Sequence, residues 1–87
     1  MKKLKIHIVD DHRLFREGLK VLLLDLPFVG SVEESADGES FLAGLNDSVP
    51  DLVFMDIEMP GIGGIETTHL AVQQYPSVRI IALSMYG

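Results

Sequence analysis

The chain has 87 residues, a formal net charge of −6 and no cysteine. This length suits one small domain, and the absence of cysteine excludes disulfide bonds and thiolate metal sites. Most Lys and Arg residues lie in the first 20 positions, and the acidic remainder argues against nucleic-acid binding by this segment. The apolar stretches are far shorter than a membrane span and no signal peptide is evident, so we expect a cytoplasmic protein without membrane contact.

Short apolar runs alternate with segments of helical periodicity along the chain. In chain order we expect a strand at about 4–10, a helix at 13–26, a strand at 31–36, a helix at 38–46, a strand at 51–56, a helix at 64–75 and a strand at 78–84. Because helices separate the strands, the sheet should be parallel with right-handed crossovers. The pattern therefore predicts an α/β fold in a single unit that covers residues 1–87.

Turn and capping residues support this division. Pro27 and Pro76 would end the first and third helices, because proline cannot continue a helix. Asp37 is a suitable N-cap for the short second helix. We find no repeat and no linker that would divide the chain.

Three carboxylates follow two of the predicted strands. Asp10 and Asp11 follow the first strand, and Asp56 ends the third. In a doubly wound sheet of order 2-1-3-4 these strands are neighbours, and ligands bind beyond their carboxyl ends. Carboxylates that converge there repel one another, and a Mg²⁺ ion with oxygen ligands would relieve the repulsion. One carboxylate could then act as a nucleophile and form an aspartyl phosphate.

Each of these acids alone would more often cap a helix or begin a turn. The combination of Asp-Asp after one strand with Asp-x-x-x-Pro-Gly after another makes that explanation insufficient. His12 follows the acid pair, and we interpret it as the start of the first helix beside the site, not as a metal ligand. His69, in helical register with Ile65 and Val72, is predicted to be a half-buried packing residue.

Two segments carry a family resemblance. Residues 8–19 (IVDDHRLFREGL) and 53–61 (VFMDIEMPG) closely resemble the opening and the phosphorylation segment of the response-regulator receiver domain. The first is similar to the LuxR/NarL-type subfamily, whose members usually carry a C-terminal helix-turn-helix output domain. Residues 80–84 (IIALS) resemble the fourth strand and its switch hydroxyl. The resemblance implies a flavodoxin-like fold, a bacterial two-component system and control of transcription by a full-length protein.

The resemblance also implies a role for each site residue. Asp56 would be the phosphoacceptor, which takes a phosphoryl group from a histidine kinase. Asp11 and Asp56 would bind Mg²⁺ directly, Asp10 would bind it through water, and Glu58 would offer its backbone carbonyl. Ser84 would donate its hydroxyl to the phosphoryl oxygens. The loop would be shaped by Met59, Pro60 and Gly61.

Compared with the family, the chain stops after the fourth strand, so we expect the fourth helix, fifth strand and fifth helix to be missing. The lysine that contacts the phosphoryl group lies on that fifth strand. An alternative function is therefore a non-catalytic dimerisation or docking module. An aspartate-nucleophile phosphohydrolase is disfavoured because Asp10 and Asp11 are adjacent, whereas such enzymes place a second acid two residues after the nucleophile. We expect a signalling domain and no classical enzyme.

The first predicted helix carries two apolar stripes. One comprises Phe15, Leu19, Leu22, Leu23 and Leu26, and the other comprises Leu14, Val21 and Leu24. A helix with two apolar stripes normally packs on two partners. Together with an unpaired edge on the fourth strand, this pattern predicts a homo-oligomer formed through that edge or through the second stripe.

Overall fold

The computed structural model describes residues 2–83, in which helices and strands alternate. The elements are β1 Leu4–Val9, α1 Arg13–Leu24, β2 Val29–Ser35, α2 Gly38–Gly44, β3 Leu52–Asp56, α3 Gly63–Gln74 and β4 Arg79–Leu83. All strand pairs are parallel and the sheet order is β2-β1-β3-β4. The predicted α/β class and flavodoxin-like order are confirmed.

Some element bounds differ from the predicted ones. β2 begins at Val29, two residues early, because Val29 pairs with Leu4 at the start of β1. α1 ends at Leu24, two residues early. The Leu26 N–H donates to the Leu23 carbonyl at 3.1 Å, a tight i+3 turn that ends the helix just before Pro27.

The core has a layer on each face of the sheet, because successive strand residues point to opposite faces. One layer contains Ile6, Ile8, Leu23, Val29 and Val32, and lies under α1. The other contains Val9, Phe41, Leu45, Val53, Met55, Met59, Ala71 and Val78, and lies under α2 and α3. Burial of one such aliphatic side chain contributes roughly 1.5–3 kcal/mol, so the two layers hold the strand ends of the sheet in fixed register.

α1 packs on the sheet through its first apolar stripe, since Leu19 and Leu23 contribute to the core layer beneath the helix. Leu23 is buried, but Leu22, assigned to the same inward stripe, is 69% exposed. Arg16 takes an inward position instead, and its Nε donates to Glu34 Oε1 on β2 at 3.1 Å. The residues of the second stripe, Leu14, Val21 and Leu24, are exposed as well. Sequence periodicity thus identified the stripe that meets the sheet, except at Leu22.

Two glycines permit the path of the β3–α3 connection and its close packing. Gly61 has a φ of +81°, which L side chains rarely adopt. Gly64, in the first turn of α3, lies so near the end of β3 that a Cβ atom there would overlap the backbone of Asp56 and Ile57. The start of α3 is therefore packed directly against the carboxyl end of β3.

Among residues 2–83, no helix combines the length and the apolar composition that crossing a membrane requires.

Candidate functional site

Two adjacent strands end beside each other at the carboxyl edge of the sheet. Val9 of β1 pairs with Met55 of β3, so the next residues, Asp10 and Asp56, follow at the same level. The side chains of Asp10 and Asp56 are buried, whereas that of Asp11 is 33% exposed. Parallel pairing thus brings the three predicted carboxylates together, two of them out of contact with solvent.

The buried carboxylates are only partly hydrogen-bonded. Asp10 Oδ1 accepts from the His12 backbone N–H at 2.7 Å, and Asp56 Oδ1 accepts from the Glu58 backbone N–H at 3.0 Å. Asp10 Oδ2 and Asp56 Oδ2 are buried and have no hydrogen-bond partner within residues 2–83. A buried polar atom without a partner costs about 1–3 kcal/mol, and more when it is charged. This pair of oxygen atoms fits a site for a hard cation.

Burial also changes the proton affinity of Asp56. Its pKa is raised above the ordinary range mainly because burial disfavours the charged form, while the Glu58 N–H opposes the shift. The negative charges of Asp10 and Asp11 raise the pKa of Asp56 further. A cation between these groups would reverse the effect of the neighbouring charges and favour the ionised carboxylate.

His12 lies at the start of α1 and beside the site, as the sequence predicted. His12 is the N-cap of α1 and its side chain forms no cap hydrogen bond. Its Nδ1 instead donates to Asp10 Oδ1 at 2.8 Å, and lies 3.2 Å from Asp11 Oδ1 and 3.9 Å from Asp56 Oδ2. The pKa of His12 is raised, first by the hydrogen bond to Asp10 and then by the charge of Asp11.

These four side chains form one compact cluster. Asp10, Asp11, His12 and Asp56 can each place a ligand atom within 4.8 Å of the others. The His12 side chain is 52% exposed and contacts buried carboxylates, so the imidazole lies on the solvent side of the site. The signal available in the sequence was the adjacency of His12 to the acid pair at the turn after β1.

Arg16 supports this edge of the sheet and was not predicted from the sequence. Its Nη1 donates to the backbone carbonyl of Asp10 at 2.5 Å, while its Nε donates to Glu34. The guanidinium thereby ties the turn after β1 to β2. A charged residue within an apolar helix face was the sequence signal for such a contact.

The remaining predicted site residues lie in and around the β3–α3 loop. Met59 is buried in the core layer under α2 and α3, while Pro60 and Gly61 are exposed. The backbone N–H of Glu58 is committed to Asp56, and the Glu58 side chain is exposed. Ser84, the predicted switch hydroxyl, lies outside the described residues.

The histidine on α3 is placed differently from the prediction. His69 is exposed and its Nε2 lies 3.3 Å from Gln73 Nε2, one helical turn away. Ile65 on the same stripe is 74% exposed as well. The prediction of a half-buried His69 was wrong, because α3 packs through Gly64, Thr67 and Ala71 instead.

Comparison with known proteins agrees with this geometry. Residues 6–87 match the family described as response regulator receiver domain. The chain is 40% identical to the transcriptional regulatory protein DegU of Brevibacillus brevis over 84 residues. These residues are 97% of this chain and 36% of DegU. It is 35% identical to the response regulator GacA of Pseudomonas syringae over 82 residues, which are 94% of this chain and 38% of GacA. The chain therefore spans well under half the length of these curated relatives.

A solved structure gives the same result for the fold. A two-component response regulator of the LuxR family from an Aurantimonas species superimposes with a TM-score of 0.90 at 35% identity. The match covers 99% of this chain and 61% of that one.

Proposed function

Because the chain belongs to the response regulator receiver domain family, we propose that Asp56 accepts a phosphoryl group from the phosphohistidine of a histidine kinase. The observation that carries the proposal is the buried Asp56 Oδ2, which has no partner within residues 2–83 and lies beside two further carboxylates. The domain would act in the bacterial cytoplasm and, within a longer protein, control transcription.

The transfer needs one carboxylate oxygen that is oriented and unpaired. The Glu58 N–H holds Asp56 Oδ1 and fixes the rotation of the carboxyl group, so that one oxygen of the carboxylate can bind the cation and the other can attack the phosphorus. The new O–P bond forms as the N–P bond of the phosphohistidine breaks, and the released imidazole keeps the electron pair and takes up a proton. The product is a mixed anhydride on Asp56.

The donor set fits Mg²⁺. Asp11 and Asp56 would bind the ion directly, Asp10 would bind through water, and Glu58 would contribute its backbone carbonyl, a set made only of the oxygen ligands that Mg²⁺ prefers. When bound, the ion would neutralise the negative charge of the carboxylates and of the transferring phosphoryl group. The buried, unpartnered oxygens of Asp10 and Asp56 support this assignment.

Mass spectrometry of the intact 87-residue chain tests the proposal. After incubation with acetyl phosphate and Mg²⁺, we expect the addition of a single phosphoryl group. Asp56→Asn should abolish the addition, and Asp25→Asn, an exposed acid at the end of α1, should leave it unchanged. Phosphorylation that persists in Asp56→Asn, or that is absent from the wild-type chain, would contradict the proposal.

A second candidate function is self-association. The outer face of α1, formed by Leu14, Val21 and Leu22, is between 69% and 84% exposed. Ile81 on the edge strand β4 is 45% exposed. Exposed apolar side chains on a helix face and a strand edge are suited to contact with another protein surface, and a second copy of the chain would cover them.

Sedimentation velocity over a range of concentrations tests self-association. We expect a sedimentation coefficient that rises with concentration for the wild type and stays constant for Val21→Asp. Asp25→Asn serves as the surface control for this measurement too. A wild-type chain that remains monomeric at high concentration would rule out this second function.

A further inference from the structure

One imidazole nitrogen lies among the carboxylates of the proposed magnesium site. His12 Nδ1 is 2.8 Å from Asp10 Oδ1, 3.2 Å from Asp11 Oδ1 and 3.9 Å from Asp56 Oδ2. Ligand atoms bound at about 2.1 Å to one octahedral ion lie about 3 Å apart when adjacent and about 4.2 Å apart when opposite. The separations of Nδ1 from Asp11 Oδ1 and Asp56 Oδ2 match this range, so one ion could contact the nitrogen and these two oxygens with small side-chain movements, while Asp10 binds through water.

The backbone already holds His12 in this place. The His12 N–H donates to Asp10 Oδ1, and the extended N-cap conformation, with φ of −94° and ψ of 101°, turns the chain over the end of β1. The side chain forms no cap hydrogen bond to α1. Its position is therefore set by the turn after β1 and by the acid cluster.

We propose that His12 supplies a nitrogen ligand to the cation of this site and makes the site select transition-metal ions over Mg²⁺. The inference rests on the metal site of the proposed function and adds a ligand that the oxygen-only set lacks. A second, independent observation supports a bound ion: Asp10 Oδ2 and Asp56 Oδ2 are buried and unpartnered within residues 2–83. On binding, the ion takes the place of the Nδ1 proton, which leaves to solvent.

The chemistry of the ligand atom decides for which ions the affinity of the site rises. Imidazole nitrogen binds Co²⁺, Ni²⁺ and Zn²⁺ well, whereas Mg²⁺ favours oxygen and gains little from it. The nitrogen of His12 should therefore raise the affinity for Co²⁺ and hardly change that for Mg²⁺. The site would then bind Co²⁺ more tightly than Mg²⁺, with His12 as the specificity-determining residue.

Calorimetric titration of the 87-residue chain with Co²⁺ and with Mg²⁺ tests this inference. His12→Phe keeps a ring of similar size and removes the nitrogen. We expect this variant to bind Co²⁺ about tenfold more weakly or worse and Mg²⁺ less than about threefold more weakly. His69→Phe is the matched control, because His69 is exposed and lies outside the acid cluster, and it should change neither affinity.

A second measurement uses the wild-type chain, so its result does not depend on whether the His12→Phe variant folds. With ¹⁵N-labelled histidine, addition of Zn²⁺ should shift the Nδ1 resonance of His12 and leave both ring nitrogens of His69 in place. Equal weakening of Co²⁺ and Mg²⁺ binding in His12→Phe, or an unshifted Nδ1, would overturn the proposal.

Failure of this inference can be told apart from failure of the proposed function. Asp56→Asn should weaken the binding of both ions whether or not His12 is a ligand. If Asp56→Asn weakens Mg²⁺ binding and His12→Phe does not affect Co²⁺, only the role of His12 is refuted. If Asp56→Asn leaves Mg²⁺ binding unchanged, the magnesium site itself is refuted.

Discussion

The carboxyl edge of the sheet and the outer face of α1 depart from the usual distribution of residues in opposite ways. At the edge, the carboxylates of Asp10 and Asp56 are buried with unpartnered oxygens. On α1, Leu14 and Val21 are exposed to solvent. Buried polar groups and exposed apolar groups are the informative exceptions to normal burial. The first exception fits the proposed cation site, and the second fits the proposed contact surface.

The two regions also differ in how closely they are packed. At the sheet edge, a Cβ atom on Gly64 would overlap the backbone of Asp56. Around Gly18 on α1, nothing lies within 4 Å of the corresponding position. Substitutions should therefore be costly at the edge and nearly neutral on the helix surface, and paired variants can measure this difference.

The largest difference in the loss of unfolding free energy is expected between alanine substitutions at two leucines of α1. Leu23 is buried in the core layer under the helix, so Leu23→Ala should lower the free energy of unfolding by about 2–4 kcal/mol. Leu14 is 84% exposed, so Leu14→Ala should change it by less than about 0.5 kcal/mol. Urea unfolding followed by circular dichroism would measure both. Similar losses for the two variants would show that the outer face of α1 is covered in solution.

A comparison of two glycines is expected to give the next largest difference. Gly64→Ala should destabilise the fold by about 2–3 kcal/mol, because the added Cβ forces α3 away from the end of β3. Gly18→Ala should stabilise α1 by about 0.5–1 kcal/mol, because alanine favours helix and has room there. Thermal unfolding of the two variants checks the signs. A neutral Gly64→Ala would contradict the tight contact at the site edge.

Two arginines near the start of α1 should differ by a smaller amount. Arg16→Ala removes the hydrogen bonds to the Asp10 carbonyl and to Glu34, so we expect a loss of about 1–2 kcal/mol. Arg13 pairs with Glu17 in an exposed position, and Arg13→Ala should cost less than about 0.5 kcal/mol. The pair should be compared by urea unfolding at one salt concentration. Equal losses of stability in the two variants would contradict a role for Arg16 in supporting the turn after β1.

The smallest predicted effect depends on pH. The pKa of Asp56 is raised in the folded chain, so its contribution to stability is full below the ordinary value of 3.8 and is lost as the pH rises through the folded pKa. Without metal at neutral pH, Asp56→Asn should therefore be more stable than the wild type by about 1 kcal/mol, because it removes a buried charge. The difference should vanish as the pH falls toward 3.8.

Unfolding in EDTA across this pH range would test the prediction. Addition of Mg²⁺ should stabilise the wild type and reduce or reverse the advantage of Asp56→Asn, since the ion binds only the folded state. If Asp56→Asn is less stable than the wild type at neutral pH without metal, the carboxylate of Asp56 does not carry an uncompensated charge at the carboxyl edge of the sheet.

Much of the site could be predicted because it follows from the local pattern. Alternating strands and helices imply a parallel sheet, and parallel strands end at the same edge, so Asp10 and Asp56 could be paired from the sequence. His12 and Arg16 could not be assigned in this way. Their contacts depend on the turn at residues 10–12, which the bond from the His12 N–H to Asp10 Oδ1 holds, and on the rotation of α1 about its axis, which brings Arg16 to Glu34 on β2.

The sequence by itself determined the order of elements, the topology of the sheet and the position of the acids, because each of these depends on residue type and spacing. Tertiary structure alone decided the exact rotation of α1 on the sheet, which leaves Leu22 of the first stripe exposed and brings Arg16 to Glu34. It also decided that the ring of His12 lies within reach of three carboxylates. That contact brings together groups from the ends of two strands, and its distances arise only when the strands pair in register.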